Sequence, residues 1–130
     1  MRRGDSVTVK ECYDQMGADY KSVYERLGNN EQLVEHFFQR FAQDMSFAAL
    51  KEAREKQDQE AAFRAVHTLK GICINLGLTN LYQVSSDLTE ALRNGKPDPE
   101  VEEQLYQKVE QEYHRVIERM EMWKTSYDGG

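Results

Sequence analysis

The sequence predicts an all-α fold, an antiparallel up-down four-helix bundle with short additional helices at its N-terminus. Three observations predict it. Apolar residues recur at steps of three and four along most of the chain, and no strand-like alternation competes with them. The prolines number only two, and the eight glycines tend to fall at junctions between periodic segments. Those junctions are a few residues long, which makes successive helices antiparallel neighbours.

Thr8 followed by Glu11 forms a capping-box pattern, and Val9, Cys12, Tyr13 and Met16 then fall at i, i+3, i+4, i+7 before Gly17 stops the first helix. Asp19 opens a second short helix with Tyr20, Val23, Tyr24 and Leu27 on one stripe, closed by Gly28 and Asn29. These two helices, at about 8–28, are expected to cover one end of a bundle spanning about 30–125. Asn30 caps a longer helix whose apolar positions Leu33, Val34, Phe37, Phe38, Phe41, Met45 and Ala48 keep one face as far as about Lys56. Within it, Ser46 marks either a kink or a second start.

Asp58 caps the next helix, which should end at Gly77, and a further stretch from Thr79 places Leu81, Val84, Leu88 and Leu92 on one side before Asn94 and Gly95. Lys96 to Pro99 is a short loop, in which Asp98 is the cap and Pro99 the first helical residue. The last helix is expected to bury Val101, Leu105, Val109, Val116, Met120 and Trp123, and Asp128, Gly129 and Gly130 read as a frayed tail.

At 130 residues the chain suits one domain, with 31% charged residues balanced by 39% hydrophobic ones, so it should fold. A net charge of −6 with no concentrated Lys/Arg face argues against nucleic acid and suits a soluble protein partner. No apolar run approaches the roughly 18 residues of a membrane span. Because no signal-peptide core follows Arg2 and Arg3 either, a cytoplasmic protein without a membrane partner is expected. Cys12 and Cys73 each sit on an apolar stripe and read as small buried hydrophobes, not as a disulfide or a metal pair.

The segment Ala61 to Leu76 is the most informative. At about 100° per residue, Ala62, Val66, Leu69, Cys73 and Leu76 form a stripe that should face the core. His67, Lys70, Gly71 and Ile74 follow the parallel pattern and share an adjacent, outward stripe. A neutral imidazole is a good nucleophile toward a phosphoryl group near pH 7. An ammonium one turn away, Lys70, can offset the charge gained, by about 4 kcal/mol for unit charges at about 4 Å before solvent screening. Gly71 costs about 1 kcal/mol relative to alanine inside a helix and needs a reason. Two reasons stand: steric access to the ring, or close packing of another helix.

The segment Ala65-Val66-His67-Thr68-Leu69-Lys70-Gly71, followed by Asn75-Leu76-Gly77, resembles the signature of histidine phosphotransfer (HPt) domains, the small helical bundles of two-component phosphorelays. Leu27-Gly28-Asn29-Asn30 leading into Leu33, Phe37 and Phe41 is similar to that family's opening helix, and the bundle order covers roughly Asp19 to Trp123. The resemblance implies that His67 is the phosphoacceptor, that Lys70 helps hold the phosphoryl group and that Gly71 keeps the ring accessible to a response-regulator receiver domain. The same resemblance implies a phosphocarrier and not an independent enzyme: the receiver brings its aspartate, acidic pocket and magnesium, and this chain binds no cofactor or metal. No glycine-rich nucleotide loop suggests phosphorylation from ATP. Receiver domains and a hybrid histidine kinase are the expected partners, and a monomer is the expected state.

One departure stands out. Positions 72 to 74, often small and polar in that family, are Ile72, Cys73 and Ile74 here. Ile72 and Cys73 can turn inward, whereas Ile74 lies near His67 and either belongs to the docking surface or packs under a neighbouring helix. Phe63, four residues before His67, and Arg64 are further candidates for receiver docking.

Other histidines carry no such neighbours. His36 beside Phe37 and Phe38, and His114 among Glu110, Glu112 and Tyr113, read as boundary or surface residues. A di-iron bundle would need Glu-x-x-His pairs, but Leu33, Arg64 and Gln111 stand three residues before the histidines. The Phe37, Phe38, Phe41 cluster reads as core. Two further readings compete with the relay: a helical module that binds a receiver or kinase without being phosphorylated, and the dimerisation helices of a histidine kinase. His67, Lys70 and Gly71 together disfavour the first, and the missing kinase-type box and ATP-binding domain disfavour the second.

Overall fold

A computed structural model describes residues 7–128, with side chains described as far as Thr125. Among them are seven α-helices and no strand: α1 Val9–Met16, α2 Tyr20–Arg26, α3 Glu31–Phe41, α4 Ser46–Glu55, α5 Gln59–Asn75, α6 Thr79–Arg93 and α7 Pro99–Asp128. The caps explain most boundaries. Thr8 and Glu11 complete the reciprocal capping box of α1, and the side chains of Asp19, Asn30 and Asp58 accept from the backbone N–H three residues on at the starts of α2, α3 and α5. Asp98 accepts from the N–H groups of Glu100 and Val101 at the start of α7.

The single long helix expected from Asn30 to about Lys56 is two helices. Beyond Phe41 the N–H groups of Ala42, Gln43 and Asp44 bond back three residues instead of four, and the Asp44 carboxylate then accepts from the N–H of Ser46 at 2.9 Å to start α4. The break re-phases the chain. Phe41 and Phe47 both meet Tyr113, with centroids 5.8 and 4.2 Å away. On one continuous helix, six residues of separation would turn them about 120° apart.

Met45, expected on the buried face, lies in the break and is 69% exposed, and Ala48 is exposed too. In α3 the buried stripe is Val34, Phe38 and Phe41, which leaves Leu33 and Phe37 one position off it and partly exposed. Phe37 is therefore not core. Val101 is a third correction: the inward stripe of α7 runs Tyr106, Val109, Tyr113, Val116, Met120, Trp123, and extended backward it reaches Glu102, so Val101 points to solvent. Asp128 belongs to α7 and not to a tail, while Gly129 and Gly130 lie outside the described residues.

α4 packs on α5, α5 on α6 and α6 on α7. Side chains return α7 to α4: Phe47 at the start of α4 stacks on Tyr113, while Arg54 near its end pairs with Glu103 at 2.9 Å and lies over the Tyr106 ring at 4.0 Å. Residue number rises along α4 as it falls along α7, so these two helices run in opposite directions. The same holds for α3, where Phe38 meets Trp123 and Phe41 meets Tyr113. Cys12 and Cys73 are free and fully buried, and burial pushes the Cys12 thiol up to about 11.

The N-terminal helices cover the turn between α5 and α6. The Tyr13 hydroxyl donates to the Leu76 carbonyl at 2.7 Å, the Asp19 N–H to the Gly77 carbonyl at 2.8 Å, and the Asn80 amide to the Met16 carbonyl at 3.0 Å. At Gly77 the backbone is left-handed with φ +65°, and a Cβ there would stand 2.6 Å from the Asp19 carbonyl oxygen. Only glycine fits both conditions.

Candidate functional site

The histidine ridge is built by α5, whose inner stripe of Ala62, Val66, Leu69, Cys73 and Leu76 is buried as the periodicity requires. Burying that stripe forces the residues at right angles and beyond outward. His67 is exposed, Lys70 and Gly71 are half-buried beside it, and Ile74 is 50% exposed. At both positions the reading of close packing under another helix falls away. A Cβ built at Gly71 meets no side chain or neighbouring helix within 4 Å, so no helix packs there, and Ile74 is not covered.

Two faces flank the ridge. Toward α6, the Phe63 ring stands edge-on to the His67 imidazole, with centroids 5.8 Å apart and planes at 61°. The guanidinium of Arg93 lies 5.4 Å from the centre of the Phe63 ring and donates through Nε and Nη2 to the two oxygens of Glu90, at 3.2 Å each. Hydrogen bonding from Arg93, with lesser help from the charges of Arg93, Lys70 and His67, holds the Glu90 carboxyl below its usual range against the opposing cost of desolvation. Lys70 and His67 thus add to the positive surroundings of Glu90.

On the other side, Arg64 is exposed and paired with Glu60 at 3.0 Å, and the Thr68 hydroxyl donates to the Arg64 carbonyl at 2.9 Å. Beyond them Phe37, Arg40, Met45, Ile72 and Asn75 line a groove between α3 and α5. Its apolar members Phe37, Met45 and Ile72 occupy positions that periodicity alone assigns to the core or the inward side. Arg26 of α2 reaches the C-terminal end of the same helix, its guanidinium donating to the Asn75 carbonyl. His36 and His114 are exposed and lie on other helices, α3 and α7, resting on Phe37 and on Phe47 respectively.

The structure therefore gathers Phe63, His67, Lys70, Gly71 and Ile74 on one ridge and adds two residues that the sequence did not single out, Glu90 and Arg93. A Glu-x-x-Arg pair at a helix end is an unremarkable signal by itself. Its place beside Phe63 and His67 depends on how the α5–α6 hairpin closes through Leu76 to Leu78. Among the described residues no group of three or more His, Cys, Asp or Glu is arranged to hold a metal ion, and no helix is long and apolar enough to cross a membrane.

Comparison with known proteins adds one positive finding. No curated protein and no solved structure matches the chain. The family model of the Hpt domain, however, matches residues 32–121, which include the whole of the histidine helix α5 and of its neighbours α4 and α6. With that match over most of its length, the chain belongs to the Hpt domain family.

Proposed function

We propose that the chain is a single phosphocarrier domain in which His67 takes a phosphoryl group from a receiver aspartate and can return it to another. The observation that carries this reading is the pairing of an exposed imidazole with free space over Gly71 one turn away. The fold does not need that space, and giving up a side chain there costs helix stability. An approaching receiver does need it.

In the step proposed, the unprotonated nitrogen of His67 attacks the phosphorus of an aspartyl phosphate; the new P–N bond forms as the P–O bond to the aspartate breaks, and the carboxylate leaves on the receiver. Magnesium bound in the receiver's acidic pocket would offset charge on the moving group. Lys70 lies one turn from the ring and supplies a cation from this side, acting mainly by charge at a half-exposed position. The receiver would rest on Phe63, Arg64 and Ile74 and on the neighbouring groove of Phe37, Met45 and Ile72, whose exposed apolar surface suits a protein partner. Exchange requires neither ATP nor a hybrid kinase in the same chain.

The test is transfer from phosphorylated receivers of the same organism. An acid-labile, alkali-stable adduct is expected on the unchanged protein and none on His67→Gln. No transfer from a panel of such receivers, or labelling that survives His67→Gln, overturns the reading. Lys70→Ala should fold normally and transfer more slowly, and an unchanged rate would remove Lys70 from the mechanism.

A further inference from the structure

We propose that Glu90 and Arg93 of α6 form a charge pair that sets how long His67 holds its phosphoryl group, Glu90 shortening that lifetime and Arg93 lengthening it. This rests on the reading of His67 as phosphoacceptor. The juxtaposition is a chain of contacts that leads from the ring to the pair: His67 edge-on to Phe63, Phe63 under Arg93, and Arg93 on both oxygens of Glu90, with the charges of Lys70 and His67 felt at the Glu90 carboxyl. The remaining charges on the ridge, Arg64 and Glu60, are engaged with each other.

Loss of the group to water breaks the P–N bond and forms a P–O bond to the water oxygen, while the departing imidazole nitrogen takes a proton. A protonated ring leaves more readily, so anything that favours ring protonation shortens the lifetime. The Glu90 carboxylate does so, and it also repels the incoming dianion. Arg93 and Lys70 act in the opposite sense on both counts. With Arg93 donating to both carboxylate oxygens, the two charges of the pair largely cancel, and neutralising either one exposes the other.

Both side chains are about half exposed, so screening limits the effect to a few-fold. Glu90→Gln preserves the shape of the pair and is expected to lengthen the half-life about threefold, while Arg93→Gln shortens it about threefold. The double variant should fall between them. A purely structural role for the pair predicts the same direction for both single variants.

The experiment loads the full chain with phosphoramidate, whose P–N bond to ammonia breaks as a P–N bond to imidazole forms. His36→Gln and His114→Gln are introduced first, since those two exposed imidazoles are the only other histidines. Decay of the phosphohistidine signal is then followed by phosphorus NMR at one mildly alkaline pH. Opposite shifts for Glu90→Gln and Arg93→Gln support the proposal, whereas equal half-lives, or shifts in one direction, overturn it. Loading of His67 without exchange with any receiver would sink the relay reading alone, while the half-lives still decide the role of the pair. Failure of His67 to load at all overturns both.

Discussion

The hydroxyl of Tyr13, on α1, donates to the carbonyl of Leu76, the residue that caps the histidine helix, at 2.7 Å inside the core. Tyr13 is fully buried, and desolvation drives its phenol well above the ordinary range, so it keeps its proton and remains able to donate well into the alkaline range. Tyr13→Phe leaves a buried carbonyl without this partner and should cost about 1–2 kcal/mol. Urea unfolding checks it, and an unchanged midpoint would show that water replaces the hydroxyl.

Two glycines six residues apart, Gly71 inside α5 and Gly77 beyond its end, should respond in opposite ways to the same substitution. Gly71→Ala places its methyl in open space and should raise stability by roughly 1 kcal/mol through helix propensity while slowing exchange with receivers. Gly77→Ala places its methyl 2.6 Å from the Asp19 carbonyl oxygen at a positive φ and should destabilise by more than about 2 kcal/mol. Thermal unfolding of the pair gives both signs in one series.

Met45 and Phe38 were expected to be equivalent core positions and are not. With 69% of its surface exposed, Met45→Gln should change stability by less than about 0.5 kcal/mol. Phe38, fully buried between Tyr13 and Trp123, should cost about 3–5 kcal/mol as Phe38→Ala. A large loss from Met45→Gln would restore the uninterrupted helix.

Alkaline stability should bear the mark of Cys12. Its thiol is raised from 9.0 to about 11 by burial, so the unfolded chain releases this proton first. The contribution is fully present below pH 9 and is lost as pH rises toward 11, at most on the order of 2–3 kcal/mol. Denaturant midpoints between pH 8 and 10.5 should therefore fall more steeply for the unchanged protein than for Cys12→Ala. Parallel slopes would remove Cys12 as the cause.

Much of this was legible from the one-dimensional pattern because it depends on neighbours three and four residues apart. The caps at Thr8, Asn30, Asp58 and Asp98, the stop at Gly17 and the inward stripe of α5 are all local, and each appears where spacing places it. The break before Ser46 was half visible, as a kink or a start. What hid it was Met45, whose apolar side chain continues the helical pattern through a segment that the fold leaves outside. Val101 misled for the same reason, one residue out of phase with a stripe set by Tyr106.

By itself the sequence determined the helices, the outward ridge of His67, Lys70, Gly71 and Ile74, and the resemblance of that ridge to a family, since periodicity fixes which residues share one face of one helix. Only the tertiary structure decided what stands opposite that face: open space over Gly71 and the Glu90–Arg93 pair brought over from α6 onto Phe63. The reason is geometric. Contacts within a helix follow from residue spacing, whereas contacts between helices depend on where each turn closes and on which side chains the core accepts first.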